Sequence, residues 1–205
     1  MTTPPLRGEP KLPPAWLGTH DLPCETLNVD WFRCAYPGRP LLDWDNRVTS
    51  RFSGPGLRYR TLYLAEDTAT GFWECYGDDL LDREPDDRTI SSAAYNSRVV
   101  VRFELPSDLR LLNAMSASTL RAIGADGATF KSKYTITQQW ASALMNHARA
   151  PEGILYESRL NNGKRCLALF ETPGMETRLT AGVLRSMADD VDIRAEMIRE
   201  KVAIL

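Results

Sequence analysis

Hydrophobic and polar positions along this chain follow two rhythms, and each predicts its own kind of element. Alternation is clearest over residues 98–105, where Val99, Val101, Phe103 and Leu105 face one side and Arg98, Arg102 and Glu104 the other. That period of two predicts a strand, ended by Pro106. Short apolar runs predict further strands over residues 60–65, 109–112 and 166–170. Residues 153–160 read as a strand with Ile154, Tyr156 and Ser158 on one face, and Asn161-Asn162-Gly163 as the hairpin turn leading into the 166–170 run.

The second rhythm has a period of three to four. Asp67-Thr68 reads as a helix N-terminus, after which Ala69, Phe72, Trp73, Tyr76 and Leu80 make an apolar stripe with Glu74 off its centre. Residues 116–123 predict a helix with a Ser or Thr cap, stopped by Gly124. Residues 135–148 predict another, with Ile136, Trp140 and Leu144 repeating every fourth position. His147 flanks that stripe near the helix C-terminus, where the dipole favours a protonated imidazole; a structural role accounts for it. Ile193, Met197, Ile198 and Val202 suggest a C-terminal helix, with residues 201–205 either completing it or forming an edge strand. Strands and helices mix without βαβ regularity and without internal repeats, so the expected class is α+β.

Composition narrows the picture. Six of the 13 prolines fall within residues 1–23, which predicts an extended arm packed through Trp16 and Leu17. Pro37-Gly38 and Pro40 mark a turn, residues up to 46 read as loop, and residues 84–87 as an acidic loop. A net charge of −2 argues against a broad basic surface for nucleic acid. No run of about eighteen apolar residues is present, and the start of the chain lacks the basic-then-apolar order of a signal peptide. The expected location is therefore the cytoplasm, with no membrane partner. Cys24, Cys34, Cys75 and Cys166 are scattered and expected to be reduced, with Cys75 and Cys166 as core fillers. With only two histidines and no H-E-x-x-H, a zinc site would have to draw on distant residues. Dinucleotide folds of the G-x-G-x-x-G kind, P-loops and G-x-S-x-G hydrolases have no motif here.

Candidate chemistry concentrates in residues 51–74. Arg51-Phe52-Ser53 precedes the turn formers Gly54, Pro55 and Gly56, a strand carrying Tyr63 follows, and the next helix carries Glu74. A guanidinium, a phenol and a carboxylate can converge on one cleft in so short a unit. Further on stand Gly153-Ile154-Leu155-Tyr156-Glu157-Ser158-Arg159 and Ala168-Leu169-Phe170. In this order the pieces resemble the RES domain, the toxin half of a family of bacterial toxin–antitoxin pairs. The resemblance covers about residues 27–172, with residues 1–26 as an N-terminal arm and 173–205 as a C-terminal extension packed on the domain. The chain departs from the family pattern at Thr49-Ser50, where glycines often stand, and by an insertion expected around residues 82–96.

The resemblance implies a mixed or antiparallel sheet with flanking helices, similar to ADP-ribosyltransferases, and an enzyme that degrades NAD⁺ by phosphorolysis or hydrolysis. It implies Glu74 as the carboxylate facing the ribose, and Arg51 as the fork for pyrophosphate or acceptor phosphate. Tyr63 would supply a ring face and a hydroxyl, and Ser158 would bond the ribose or hold Glu74. Arg33, on an early aromatic-Arg strand step, either lines the site or makes an ion pair at a strand end. No metal is expected, because the nicotinamide is cationic before it leaves. The expected partners are NAD⁺, inorganic phosphate and an antitoxin protein; homo-oligomerisation stays open. Two other readings stand beside degradation. The same fold could transfer ADP-ribose to a protein or nucleotide, or serve as a catalytically silent interaction module.

Overall fold

The computed structural model describes residues 10–54 and 58–205, so Pro4 and Pro5 of the arm and Pro55-Gly56 of the expected turn lie outside the described residues. Eight strands form the central sheet: β1 (Cys24–Glu25), β2 (Asp30–Ala35), β3 (Thr61–Ala65), β5 (Val99–Glu104), β6 (Leu111–Asn113), β7 (Gly153–Glu157), β8 (Arg165–Phe170) and β9 (Thr180–Ser186). Their order is β1-β6-β7-β8-β3-β2-β5-β9. Every neighbouring pair is antiparallel except β6 with β7, the one junction that needs a long crossover. That crossover carries α3 (Ala117–Ile123) and α4 (Tyr134–Met145). The class is α+β, with a mostly antiparallel sheet.

Helices cover the sheet in two groups. Trp140, Ala141 and Leu144 of α4 and Ile123 of α3 pack on Ile154, Tyr156, Ala168 and Phe170. Phe72, Trp73 and Leu80 of α1 (Thr68–Leu81) pack with Cys34, Val100 and with Ile193 and Met197 of α6 (Val191–Arg199). The opposite face buries Trp31, Leu62, Leu64, Val101, Phe103, Leu167 and Leu169. Because both faces of β5 are covered, Val100 is buried as fully as Val101, with a bulge between them. The alternation expected for that strand is thus only half of its packing.

The caps are those the sequence predicts. The Asp67 carboxylate accepts from the Thr70 N–H at 2.7 Å, and the Ser116 hydroxyl starts α3, which ends on Gly124 at φ 78°. The β7–β8 hairpin turns through Gly163 at φ 81°. A Cβ on Gly153 would stand 2.8 Å from the Ala168 carbonyl oxygen, so the strand can enter there only as glycine.

Three expectations are corrected. The strand expected over residues 153–160 stops at Glu157, which leaves Ser158 in the turn that follows. His147 sits beyond the end of α4, where its Nδ1 accepts from the Arg149 N–H at 3.0 Å and Nε2 faces the His20 carbonyl at 2.8 Å. Cys166 is fully buried, whereas Cys75 is only half-buried.

The remaining segments are tied to this frame. The segment 82–96 holds β4 (Thr89–Ile90) and the whole of α2 (Ser92–Asn96); β10 (Ala203–Ile204) pairs parallel to β4, the strand ending of the two considered. The short helix α5 (Met175–Arg178) leads into β9. The Trp73 indole N–H donates to Glu196 at 2.7 Å, and the Thr68 hydroxyl donates to Asp190 at 2.9 Å, so α6 is pinned to α1 by two buried bonds. In the arm, Leu17 is buried and Trp16 is 40% exposed, its ring lying against Gly124. Among the described residues no helix is long and apolar enough to cross a membrane.

Candidate active site

The site lies where two neighbouring strands part. β2 and β3 stand in register only at Phe32 and Ala65. Towards Cys34 and Tyr63 they diverge, and the bridge between Asp45 and Thr61 closes the far end of the fork. The fork opens into a cavity of about 620 Å³, walled by both strands, residues 36–51, α1 and the end of β7. That is within the range of pockets that enclose a sizeable small molecule.

α1 brings Glu74 to this wall. Its capped start sets the phase, Phe72 and Trp73 enter the core, and the next position turns by about 100° towards the cavity. The Ser158 hydroxyl donates to Glu74 Oε1 at 2.6 Å. It also accepts from the N–H groups of Leu160 (3.1 Å) and Asn161 (3.0 Å), while the Ser158 N–H bonds the Lys164 carbonyl at 2.8 Å. The one proton of this hydroxyl goes to the carboxylate and its lone pairs are occupied, so Ser158 is a clamp on Glu74 and not a poised nucleophile. Below the pair, burial and then the charge of Glu74 push the Cys166 thiol up, keeping it neutral.

Arg51 enters from the loop before β3. Its carbonyl accepts from the Thr137 hydroxyl at 2.6 Å, and the carbonyls of Val48 and Ser50 accept from the Gln138 amide, so α4 holds the loop in place. The guanidinium lies 5.3 Å from the Tyr156 ring centre and 5.9 Å from that of Tyr134. Arg51 is 8% exposed and its Nε–H has no partner. A buried donor without an acceptor is costly, and the residue that carries it lines the cavity. Tyr63 supports the same loop, its hydroxyl accepting from the Phe52 N–H at 3.0 Å. Burial pushes this phenol above its usual range.

Arg33 combines both roles expected for it. It lines the cavity, donates to the Asp43 carbonyl at 2.8 Å, and stands 3.9 Å from the Asp43 carboxylate. Six arginines and four carboxylates line the cavity, an excess of two positive charges in a chain whose net charge is −2. Arg33 and Arg39 face Asp43, Arg47 faces Asp45, and Arg159 faces Asp78. Arg51 and Arg98 have no carboxylate within 4.0 Å among the described residues, and Glu74 has no cation within that distance. Glu74, exposed at the cavity wall, and Arg51, buried in it, are thus both without an ionic partner among the described residues.

The structure brings Arg51, Tyr63, Glu74, Ser158 and Arg33 to one cavity or its wall. Sequence reasoning missed Tyr134, Tyr156, Cys75 and Arg98 as lining residues. Tyr156 could have been found, two positions before Ser158 in the same short motif. Arg98 looked like one charge on the polar side of a strand and gave no signal.

Comparison with known proteins agrees with this architecture. The family model described as the RES domain matches residues 30–187. The chain belongs to the RES domain family. Among solved structures, it is similar to a chain in the crystal structure of the M. tuberculosis MbcT–MbcA toxin–antitoxin complex. The TM-score is 0.58 at 16% identity, covering 84% of this chain and 92% of that one. No curated protein matches it in sequence.

Proposed function

We propose that this protein cleaves the nicotinamide–ribose bond of NAD⁺, with phosphate or water as acceptor, and acts as the toxin of a toxin–antitoxin pair with a protein antitoxin as partner. The observation that carries the reading is the Ser158–Glu74 bond of 2.6 Å at the wall of an arginine-rich cavity, with no cation neutralising Glu74 among the described residues. Family membership and the fold shared with a toxin–antitoxin structure support it.

The chemistry suits the geometry. As the C–N bond breaks, its electron pair passes to the ring nitrogen and nicotinamide leaves neutral. Positive charge develops on the ribose, which then takes an oxygen from phosphate or water. A carboxylate held in advance stabilises that charge without reorganising. The single hydrogen bond from Ser158 fixes Glu74 while leaving its charge in place. Arg51, at the cavity wall without a carboxylate partner among the described residues, offers a planar fork to the pyrophosphate oxygens.

Replacing Glu74 with Gln tests this. It keeps the size and removes the charge, so NAD⁺ turnover should fall by about two to three orders of magnitude. Apparent binding should change far less, because the ground state has little ribose charge to meet. Turnover is measured as NAD⁺ loss with and without phosphate, with products identified. A Gln variant as fast as the native protein would overturn the reading.

A further inference from the structure

Arg98 is the second cavity arginine without a carboxylate partner among the described residues, and nothing in the mechanism above uses it. It precedes β5, whereas Arg51 stacks near Tyr156 of β7. Those strands are four places apart in the sheet, roughly 19 Å at ordinary strand spacing. The β2–β3 fork lies between them, so Arg98 and Arg51 approach the cavity from its two sides and meet different parts of a ligand.

Its setting is built. Nε donates to the Tyr76 hydroxyl at 2.9 Å, and Nη2 donates to the Tyr36 hydroxyl at 3.0 Å. The guanidinium carbon lies 3.9 Å from the Tyr36 ring centre and 5.0 Å from that of Tyr76. The Tyr76 hydroxyl passes its own proton to the Ala94 carbonyl at 3.0 Å, so it receives from Arg98 without ambiguity. Nη1 has only the Cys75 sulfur, at 4.0 Å. Both tyrosines therefore hold the guanidinium at its sides and leave one edge, with a full positive charge, open to the cavity. The tyrosines orient this cation without neutralising it, whereas Asp43 sets a negative charge beside Arg33.

We propose that Arg98 is a second anion seat of this cavity, and that its ligand is a phosphate group. An oxyanion with several acceptor lone pairs suits a guanidinium edge better than a neutral hydroxyl or amide does. Two sources carry that chemistry: a phosphate monoester on the far ribose of a dinucleotide, and free orthophosphate serving as acceptor. The inference rests on the dinucleotide-cleaving reading only in its choice between these sources.

The test is binding without turnover. Calorimetry with the full chain compares orthophosphate, adenosine 5′-monophosphate and adenosine 2′,5′-bisphosphate, against the native protein, Arg98→Gln, Arg98→Lys and Tyr36→Phe. A seat for the monoester predicts that Arg98→Gln weakens the bisphosphate about ten- to a hundredfold and the monophosphate little. An acceptor seat predicts a comparable loss for orthophosphate, with both adenylates equal. Arg98→Lys should recover part of the affinity. Tyr36→Phe, which removes one hydroxyl from a side chain already 41% exposed, should weaken the same ligand a few-fold with an unchanged melting curve. If Arg98→Gln folds and binds all three ligands as the native protein does, the seat does not exist. If NAD⁺ is not consumed yet phosphate binding depends on Arg98, the cleavage reading fails and the seat stands.

Discussion

The Ser158 hydroxyl spends its whole bonding capacity on its neighbours. Its three hydrogen bonds serve the Glu74 carboxylate and the turn formed by Leu160 and Asn161. Ser158→Ala removes all three, so Glu74 regains rotamer freedom and two backbone N–H groups lose a partner. Turnover should fall about tenfold to a hundredfold, more than one neutral bond would give. Ser158→Thr keeps the hydroxyl and should retain most of the rate. NAD⁺ consumption by the two variants checks this; an alanine variant at full rate would show that Glu74 is placed by α1 alone.

At the scale of elements, α1 is where core and chemistry meet. Trp73 points into the protein and bonds the buried Glu196, while its neighbour Glu74 points into the cavity. Glu196→Ala strands the indole N–H and should cost about 1–3 kcal/mol of stability, read from denaturant unfolding. An unchanged midpoint would mean that α6 is a passive cover.

Much of this level was legible. The strands and helices follow periodicity and caps, and Arg51, Tyr63, Glu74 and Ser158 follow from short ordered motifs. The fork between β2 and β3 was not, because strand divergence is set by which strands become neighbours and leaves no local pattern. Cys75 was misjudged for the same reason: its helix position looks apolar, yet it faces the fork. There the Cys34 thiol beside it, joined by the charges of Arg98 and Arg33, draws the Cys75 thiol below the usual range against the opposing effect of burial.

At the scale of the molecule, charge is segregated. A mildly acidic chain encloses a cavity with two more cations than anions. Emptying such a cavity leaves like charges facing one another, so an anionic ligand should stabilise the whole fold. The Glu74→Gln variant, expected to consume its ligand far more slowly, allows a thermal measurement with NAD⁺. At a hundred times its dissociation constant the ligand should add about 2.7 kcal/mol, or about 5–10 °C in melting temperature for a chain of this size. No shift at saturating NAD⁺ would count against the dinucleotide as ligand.

The parting of β2 from β3 has one more consequence, for how this cavity can change over time. Where strands separate, main-chain groups that a ladder would occupy are released; the Cys34 carbonyl, for one, accepts from the Cys75 thiol at 3.4 Å instead of from a neighbouring strand. Backbone donors and acceptors survive every substitution except one to proline. A survey that replaces side chains one at a time will therefore record the arginines, the tyrosines and Glu74 and pass over the main chain of the fork. Its contribution is altered by insertions and deletions in residues 36–51, which reset how far the two strands stand apart.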